Sequence, residues 1–188
     1  GAFYLDPSHE DDFGDVLVKR NGVGATVKGV TTEFRANVNR KLQIESALTL
    51  QSSMYDEYVS YSSNLPQKKE FLRTPRKYGY LVLTYNSLNK LSFSANLVYT
   101  DNMQLLHLSG SPGQDYDEFF VSPSFSSIGL KGSYKKNIAL VGASIECSFG
   151  IKNLTNAYQK EFDILKNRDS NFIYGPSFPR TIWFGLKI

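Results

Sequence analysis

Two stretches of the 188-residue chain combine side chains suited to holding a ligand. Tyr55, Tyr58 and Tyr61 recur at intervals of three, and Asp115-Tyr116-Asp117-Glu118-Phe119-Phe120 mixes acids with aromatic rings. Aromatic faces beside carboxylates suit sugars and cationic or metal-chelate ligands. Tyr55, Tyr58, Tyr61, Asp115, Tyr116 and Asp117 are therefore the candidate substrate-binding residues. Glu10, Asp11, Asp12 and Asp15 beside His9 offer carboxylate oxygens for calcium. Their spacing lacks the order of a calcium loop, so they read as a solvated segment.

No motif for covalent chemistry is present. His9 and His107 lie far apart, with no G-x-S-x-G-type nucleophile nearby. Asn21-Gly22-Val23-Gly24 and Ser109-Gly110-Ser111-Pro112-Gly113 are glycine turns without a following helix, so they are not phosphate loops. The single cysteine, Cys147, falls on an apolar row and reads as a small hydrophobe. One cysteine also excludes an internal disulfide and a cysteine-rich zinc site. The expectation is a non-enzyme with no metal site and no cofactor.

The elements that position these residues read as strands. The chain has twelve Tyr and thirteen Phe beside two Met, an aromatic-rich composition that favours strands over helices. Apolar residues recur with period 2 almost throughout, and no helical stripe stands out. Val30, Phe34, Ala36 and Val38 oppose Thr31, Glu33, Arg35 and Asn37; Leu42, Ile44, Leu48 and Leu50 oppose Gln43, Glu45, Thr49 and Gln51. Leu91 to Tyr99, Ala139 to Phe149 and Ile182 to Ile188 repeat the pattern, and Tyr78 to Asn86 and Phe125 to Tyr134 follow it less cleanly. About seven strands of roughly 9–13 residues result, longer than the ~5–6 usual in soluble sheets.

The links between strands carry a second signal. They are short at 39–41, long at 54–77, short at 87–90, long at 102–124, short at 135–137 and long at 152–179. Tight turns at one edge and extended loops at the other mark an outer-membrane barrel, whose tilted strands need about 9–11 residues to cross the hydrocarbon layer. No apolar run approaches the length of a membrane helix, and the N-terminal residues do not resemble a signal peptide. Alternation alone leaves open which face meets water. A lipocalin-like barrel turns its apolar rows inward, a membrane barrel outward. Glu33, Arg35, Glu45, Glu146 and Lys187 on the sparsely charged polar rows favour the second, with these residues lining a wet lumen. In that frame, strand-end tyrosines also serve as an interfacial girdle. Twenty-one basic against eighteen acidic residues is too balanced to argue for nucleic acid.

The last forty residues, Phe149 to Ile188, resemble the C-terminal end of TonB-dependent outer-membrane receptors, especially those of Bacteroidetes type. The matching parts are Lys152-Asn153-Leu154-Thr155-Asn156, then Tyr158-Gln159, Arg168-Asp169-Ser170, Tyr174-Gly175-Pro176, and Pro179-Arg180-Thr181 opening a last amphipathic strand. Asn153, Asn156, Arg168, Asp169, Tyr174, Gly175, Pro176, Pro179 and Arg180 are the structural motif residues that the resemblance implies. Gly24 to Val30 and Phe71 to Gly79 resemble strand-entering segments of the same family. The family's chain often ends in an aromatic, whereas this one ends in Ile188.

The resemblance implies an all-β fold of antiparallel, up-and-down transmembrane strands, about seven to eight, forming part of a larger barrel with long extracellular loops. Residues 1–188 form one unit, with neither plug domain nor TonB box, as a C-terminal section of a barrel of about 22 strands. The implied function is import of a siderophore, haem, vitamin or oligosaccharide across the bacterial outer membrane. The implied partners are outer-membrane lipid, the ligand, and the TonB energy system acting through the plug. A section alone leaves two sheet edges unpaired and is expected not to transport. Two alternatives stay open: a small stand-alone outer-membrane barrel using Val16 to Arg20 as an eighth strand, and a soluble carbohydrate-binding or lipocalin-like domain.

Overall fold

The computed structural model describes residues 2–11, 14–20, 22–87, 90–138, 143–176 and 178–188; side-chain description starts at Gly22 and omits Ile138. Its strands are β1 (Ala2–Asp11), β2 (Gly14–Arg20), β3 (Ala25–Asn37), β4 (Leu42–Val59), β5 (Lys68–Glu70) and β6 (Lys77–Asn86). They continue with β7 (Leu91–Thr100), β8 (Gln104–His107), β9 (Glu118–Val121), β10 (Phe125–Ile138), β11 (Ala143–Lys152) and β12 (Thr181–Lys187). No helix among the described residues is long and apolar enough to cross a membrane.

The main sheet is eight-stranded, in the order β12-β11-β10-β7-β6-β4-β3, with β5 paired to β4. Its ladders are antiparallel, and each strand on that path neighbours those next to it in the chain. This is an all-β, up-and-down meander, and its period-2 sequence explains why. Register carries one face intact across the five ladders from β4 to β12: Leu42 pairs Tyr85, Tyr85 pairs Phe93, Phe93 pairs Gly132, Gly132 pairs Phe149 and Phe149 pairs Phe184. A one-residue slip anywhere would move a strand's apolar row to the other side.

That apolar face is not a core. Phe93 is 48% exposed, Phe184 72% and Ile182 77%. From Leu42 to Leu50 the apolar row of β4 covers about 27 Å along the strand, or about 19–22 Å of depth at a tilt of roughly 35–45°, most of the ~25 Å band of a membrane barrel. The opposite face carries the polar rows. There Arg35 Nη2 donates to Glu45 Oε1 at 2.9 Å, Gln43 Nε2 donates to the same oxygen at 2.8 Å, and the Thr31 and Thr49 hydroxyls meet at 2.9 Å. Glu146 stands in register between Lys135 and Lys187.

Several expected boundaries move. The polar run expected as a link at 135–137 is strand, because Lys135 and Asn137 continue the polar row while Lys136 pairs with Ile145 on the other row. Here β10 runs to Ile138 and β11 starts at Ala143, and Ala139 and Val141, expected to open the next strand, lie outside the described residues. The sheet starts at Ala25 instead of Val30, and β4 runs past Gln51 to Val59, where β5 covers its edge. Val16 to Arg20 is strand as the eight-strand alternative requires, yet β2 pairs with β1 in a separate two-stranded sheet. Of the acidic stretch, Asp12 lies outside the described residues, as do the side chains of His9, Glu10, Asp11 and Asp15.

Candidate functional site

The three long connections, 60–76, 101–124 and 153–180, leave the same end of the main sheet and tie to one another. The buried apolar cluster lies there: Leu105 at 1% exposure and Phe172 at 4%, with Phe125 and Tyr174, and Met103, Phe120 and Ala157 against them. Phe120 stands edge-on to Phe172 with ring centres 5.2 Å apart, and Phe172 stands edge-on to Tyr174 at 5.3 Å. Rings from two loops and a strand end thus interlock, the usual source of added stability in aromatic clusters.

Arg73 is the hub of the first loop. Its N–H donates to the Gln104 carbonyl at 2.7 Å, and its guanidinium donates to the carbonyls of Asn171 at 2.8 Å and Ile173 at 2.7 Å. Arg73 takes this position with φ at 59°, a left-handed backbone. His107 joins the second loop to the third. Buried to 8% exposure, it stacks on Phe172 at 3.7 Å, and its Nε2 lies 2.9 Å from Asp163 Oδ1. The Nδ1 atom faces Glu118 Oε1 at 3.6 Å. The two carboxylates meet opposite nitrogens of one ring and so do not converge on a common centre. Among the described residues no group of three or more His, Cys, Asp or Glu side chains is placed to hold a metal ion. Burial pushes the Asp163 carboxyl up, but hydrogen bonds from the Asp169 N–H and the His107 ring outweigh it and leave its pKa lowered.

The candidate binding residues divide between held and open. Asp117 is held: Ser109 donates to its Oδ1 from both N–H and hydroxyl at 2.9 Å, and the Ser62 hydroxyl binds its Oδ2. These donors, led by the Ser109 N–H, bring its carboxyl down to about 2. The Tyr61 hydroxyl donates to the Glu70 carbonyl at 3.1 Å, and its ring stands edge-on to Phe119. Burial, with Tyr55 adding, pushes that phenol up to about 12. Tyr55 lies against Phe71 with ring centres 4.3 Å apart. Tyr58 and Tyr116 are 65% and 67% exposed, Asp115 is exposed, and Lys69 Nζ lies 5.1 Å from the Tyr58 ring centre. Between the first two loops lies a cavity of about 210 Å³ whose lining includes Gln51, Met54, Glu70, Phe71, Arg76 and Gln104.

The motif residues explain themselves as backbone chemistry. Asn153 and Asn156 have φ of 51° and 54°, a region asparagine enters more readily than most residues. Asn153, 6% exposed, donates to the carbonyls of Ala157 and Phe178 and accepts from the Ala157 N–H at 3.0 Å. Asn156 Oδ1 accepts the Arg180 N–H at 2.9 Å, which pins the return into β12. Gln159, 2% exposed, donates to the Glu161 and Phe172 carbonyls and accepts the Tyr174 N–H. Asp169 accepts the N–H groups of Leu108 and Asn171. Gly175 sits so close to Phe125 that a Cβ would lie 2.8 Å from the ring. Arg168, Pro179 and Arg180 have exposed side chains, and Pro176 is half-buried. The linking roles of Arg73, His107 and Asp163 had no sequence signal, because their partners are distant in the chain.

An open meander with an exposed apolar face and interlocked loops at one end has direct counterparts among solved structures. The ferripyoverdine receptor of the Pseudomonas aeruginosa outer membrane, bound to ferripyoverdine, matches with a TM-score of 0.61 at 17% identity, over 86% of this chain and 19% of its own. The fold is shared with outer-membrane receptor barrels. P. aeruginosa FpvA bound to a heterologous pyoverdine gives 0.61 at 16% identity, with the same coverage of 86% and 19%. The siderophore receptor PiuA from Acinetobacter baumannii gives 0.55 at 17%, over 86% of this chain and 21% of its own. The chain thus spans about a fifth of the length of these receptors. No protein-family model matches the sequence, and no curated protein does.

Proposed function

We propose that this chain is a section of wall and loops from a TonB-dependent outer-membrane receptor that imports a nutrient. The observation that carries the reading is the pairing of a lipid-suited apolar face with a polar inner face and one tied set of long loops, in a fold shared with siderophore receptors. The apolar face meets lipid, the polar rows line the bore, and the loops face outside the cell. Coupling to TonB runs through a plug domain, and the chain itself performs no covalent chemistry. The Bacteroidetes assignment rests on the motif run from Phe149 to Ile188 alone.

In this reading Tyr58, Tyr116 and Asp115 touch the ligand, because their exposed groups stand clear of the loop core. Tyr55, Tyr61 and Asp117 shape the loops that present them. The ligand is a siderophore, haem, a vitamin or an oligosaccharide. A soluble carrier is disfavoured by the exposed rows on β3, β7 and β12. A closed small barrel is disfavoured because no ladder joins β3 to β12 among the described residues.

Deleting the gene that encodes this chain should abolish uptake of one nutrient class, and collapsing inner-membrane energisation should do the same. Complementation with Tyr58→Ala or Tyr116→Ala should raise half-saturating ligand about two- to tenfold, the value of one ring contact. Unchanged uptake of ferric siderophore, haem, cobalamin and oligosaccharide in the deletion strain would refute the importer reading.

A further inference from the structure

The polar face has two unlike halves. On β3 and β4 its charges are settled within the wall, where Glu45 Oε1 takes the Arg35 guanidinium at 2.9 Å and the Gln43 amide at 2.8 Å. Between β6 and β11, at the short-turn end, a cavity of about 570 Å³ opens instead, and its lining includes Asn86, Ser92, Ser133, Lys90, Lys131 and Lys135. Register explains the hollow. Asn86 pairs Ser92, Ser92 pairs Ser133 and Ser133 pairs Ser148, so one row across four strands carries only short polar side chains.

Longer, cationic side chains border this low floor. On the same row of β10, Lys131 stands two residues from Ser133 towards the long loops and Lys135 two residues towards the short turn. The Lys135 N–H donates to the Lys90 carbonyl at 3.0 Å, which extends the β7–β10 ladder past Leu91 and Tyr134 and sets Lys90 beside Lys135 on the polar side. Glu146 is the one acid of the lining, and Lys187 already flanks it on its far side. Among the described residues no ion pair engages the ammonium groups of Lys90, Lys131 or Lys135. Like charges side by side weaken a sheet, and a hollow lined by one sign of charge concentrates its field.

We infer that this hollow docks an acidic segment of the polypeptide that fills the bore. The spread of the cations decides between a chain and a small ion. Lys131 and Lys135 are about 13 Å apart along β10, and the row from Lys90 to Lys187 crosses four strands, about 14 Å. A single oxyanion meets at most two of these groups. An extended segment with carboxylates at i and i+4, also about 13 Å apart, spans Lys131 and Lys135 together. The Ser92 and Ser133 hydroxyls and the Asn86 amide on the floor bond the segment's backbone between those carboxylates. The inference rests on the bore-facing reading of the polar rows, in which the plug supplies the segment.

The test uses the full chain in nanodiscs and a labelled Gly/Ser peptide carrying Asp at i, i+4 and i+8, beside its Asn counterpart, with binding read by fluorescence anisotropy. The Asp peptide should bind about tenfold more tightly, with an affinity that falls as salt is raised. Lys90→Gln, Lys131→Gln and Lys135→Gln together should weaken it about tenfold, three exposed ion pairs of ordinary strength. Lys160→Gln with Lys166→Gln, in the third long loop, should leave it unchanged. Ser133→Phe, filling the floor with every charge intact, should also weaken it. Equal affinity for the two peptides, an equal loss from the loop lysines, indifference to Ser133→Phe, or displacement by inorganic phosphate at the peptide's own carboxylate concentration overturns the inference. Brominated lipid separates this from the underlying reading, using Phe184→Trp in a Trp183→Phe background. No quenching sinks the wall reading, whereas quenching without preference for the acidic peptide sinks the docking site alone.

Discussion

The two ends of this molecule invert the usual relation between sheet and loop. In a soluble protein the sheet carries the core and the connections are loose surface. Here Phe184 and Ile182 in the sheet are 72% and 77% exposed, while Leu105 and Phe172 in the connections are 1% and 4% exposed. The wall draws its order from ladder hydrogen bonds and a uniform register, and many of its apolar side chains stay exposed. Among the described residues the loops have no ladder beyond β5, β8 and β9, so they are ordered by a small core and by side-chain ties to backbone carbonyls. Order in the wall is thus local and repetitive, whereas order in the loops is long-range and particular.

That contrast is tested first where the largest effect is expected. Phe172→Ala removes a ring that touches His107, Phe120 and Tyr174. It should cost about 3–5 kcal/mol of loop-core stability. The measurable result is rapid proteolysis within 153–180 while strand content by circular dichroism is retained. Coupled loss of the strands would show that the two ends are one cooperative unit and break the comparison.

A charge placed on the wall comes next. Leu97→Arg, in the middle of the apolar row, should destabilise the lipid-embedded chain by about 2–4 kcal/mol, read by urea unfolding from bilayers. A charge at Tyr116 in the loops should leave the same transition within ~0.5 kcal/mol. Equal costs at the two positions would mean that the wall is not lipid-facing.

The smallest effect concerns acid. The Asp117 carboxyl is lowered to about 2 by its Ser109 and Ser62 donors. A depressed carboxylate contributes stability above its unfolded pKa and loses it as pH falls through the folded value. The link between the first and second long loops should therefore hold down to about pH 4 and weaken towards about 2. Protease sensitivity of 60–76 followed across that window checks the sign, and Asp117→Asn should flatten the added sensitivity. A transition near neutrality that vanishes with Asp117→Asn would contradict the assignment.

Much of the wall was legible before any coordinates. Apolar rows such as Leu42-Ile44-Leu48-Leu50 and Leu91-Phe93-Ala95-Leu97 report an alternating backbone directly, and short turns force chain neighbours to pair. The sequence is ambiguous at polar strand ends such as Lys135-Lys136-Asn137, where a turn and the end of a strand use the same residues. The candidate site was less legible. Aromatic and acidic clustering singled out Tyr58 and Tyr116, which are exposed, together with Asp117, whose oxygens are already occupied.

By itself the sequence determined strand identity, the two faces, the meander order and the edge that carries the long loops, because period 2 and link length are properties of neighbours in the chain. Only the tertiary structure decided that those loops interlock. The His107–Asp163 contact joins residues 56 apart, and Arg73 reaches carbonyls 98 and 100 residues away. Such contacts leave no periodic trace, since their geometry is set by how the sheet brings three loop bases side by side.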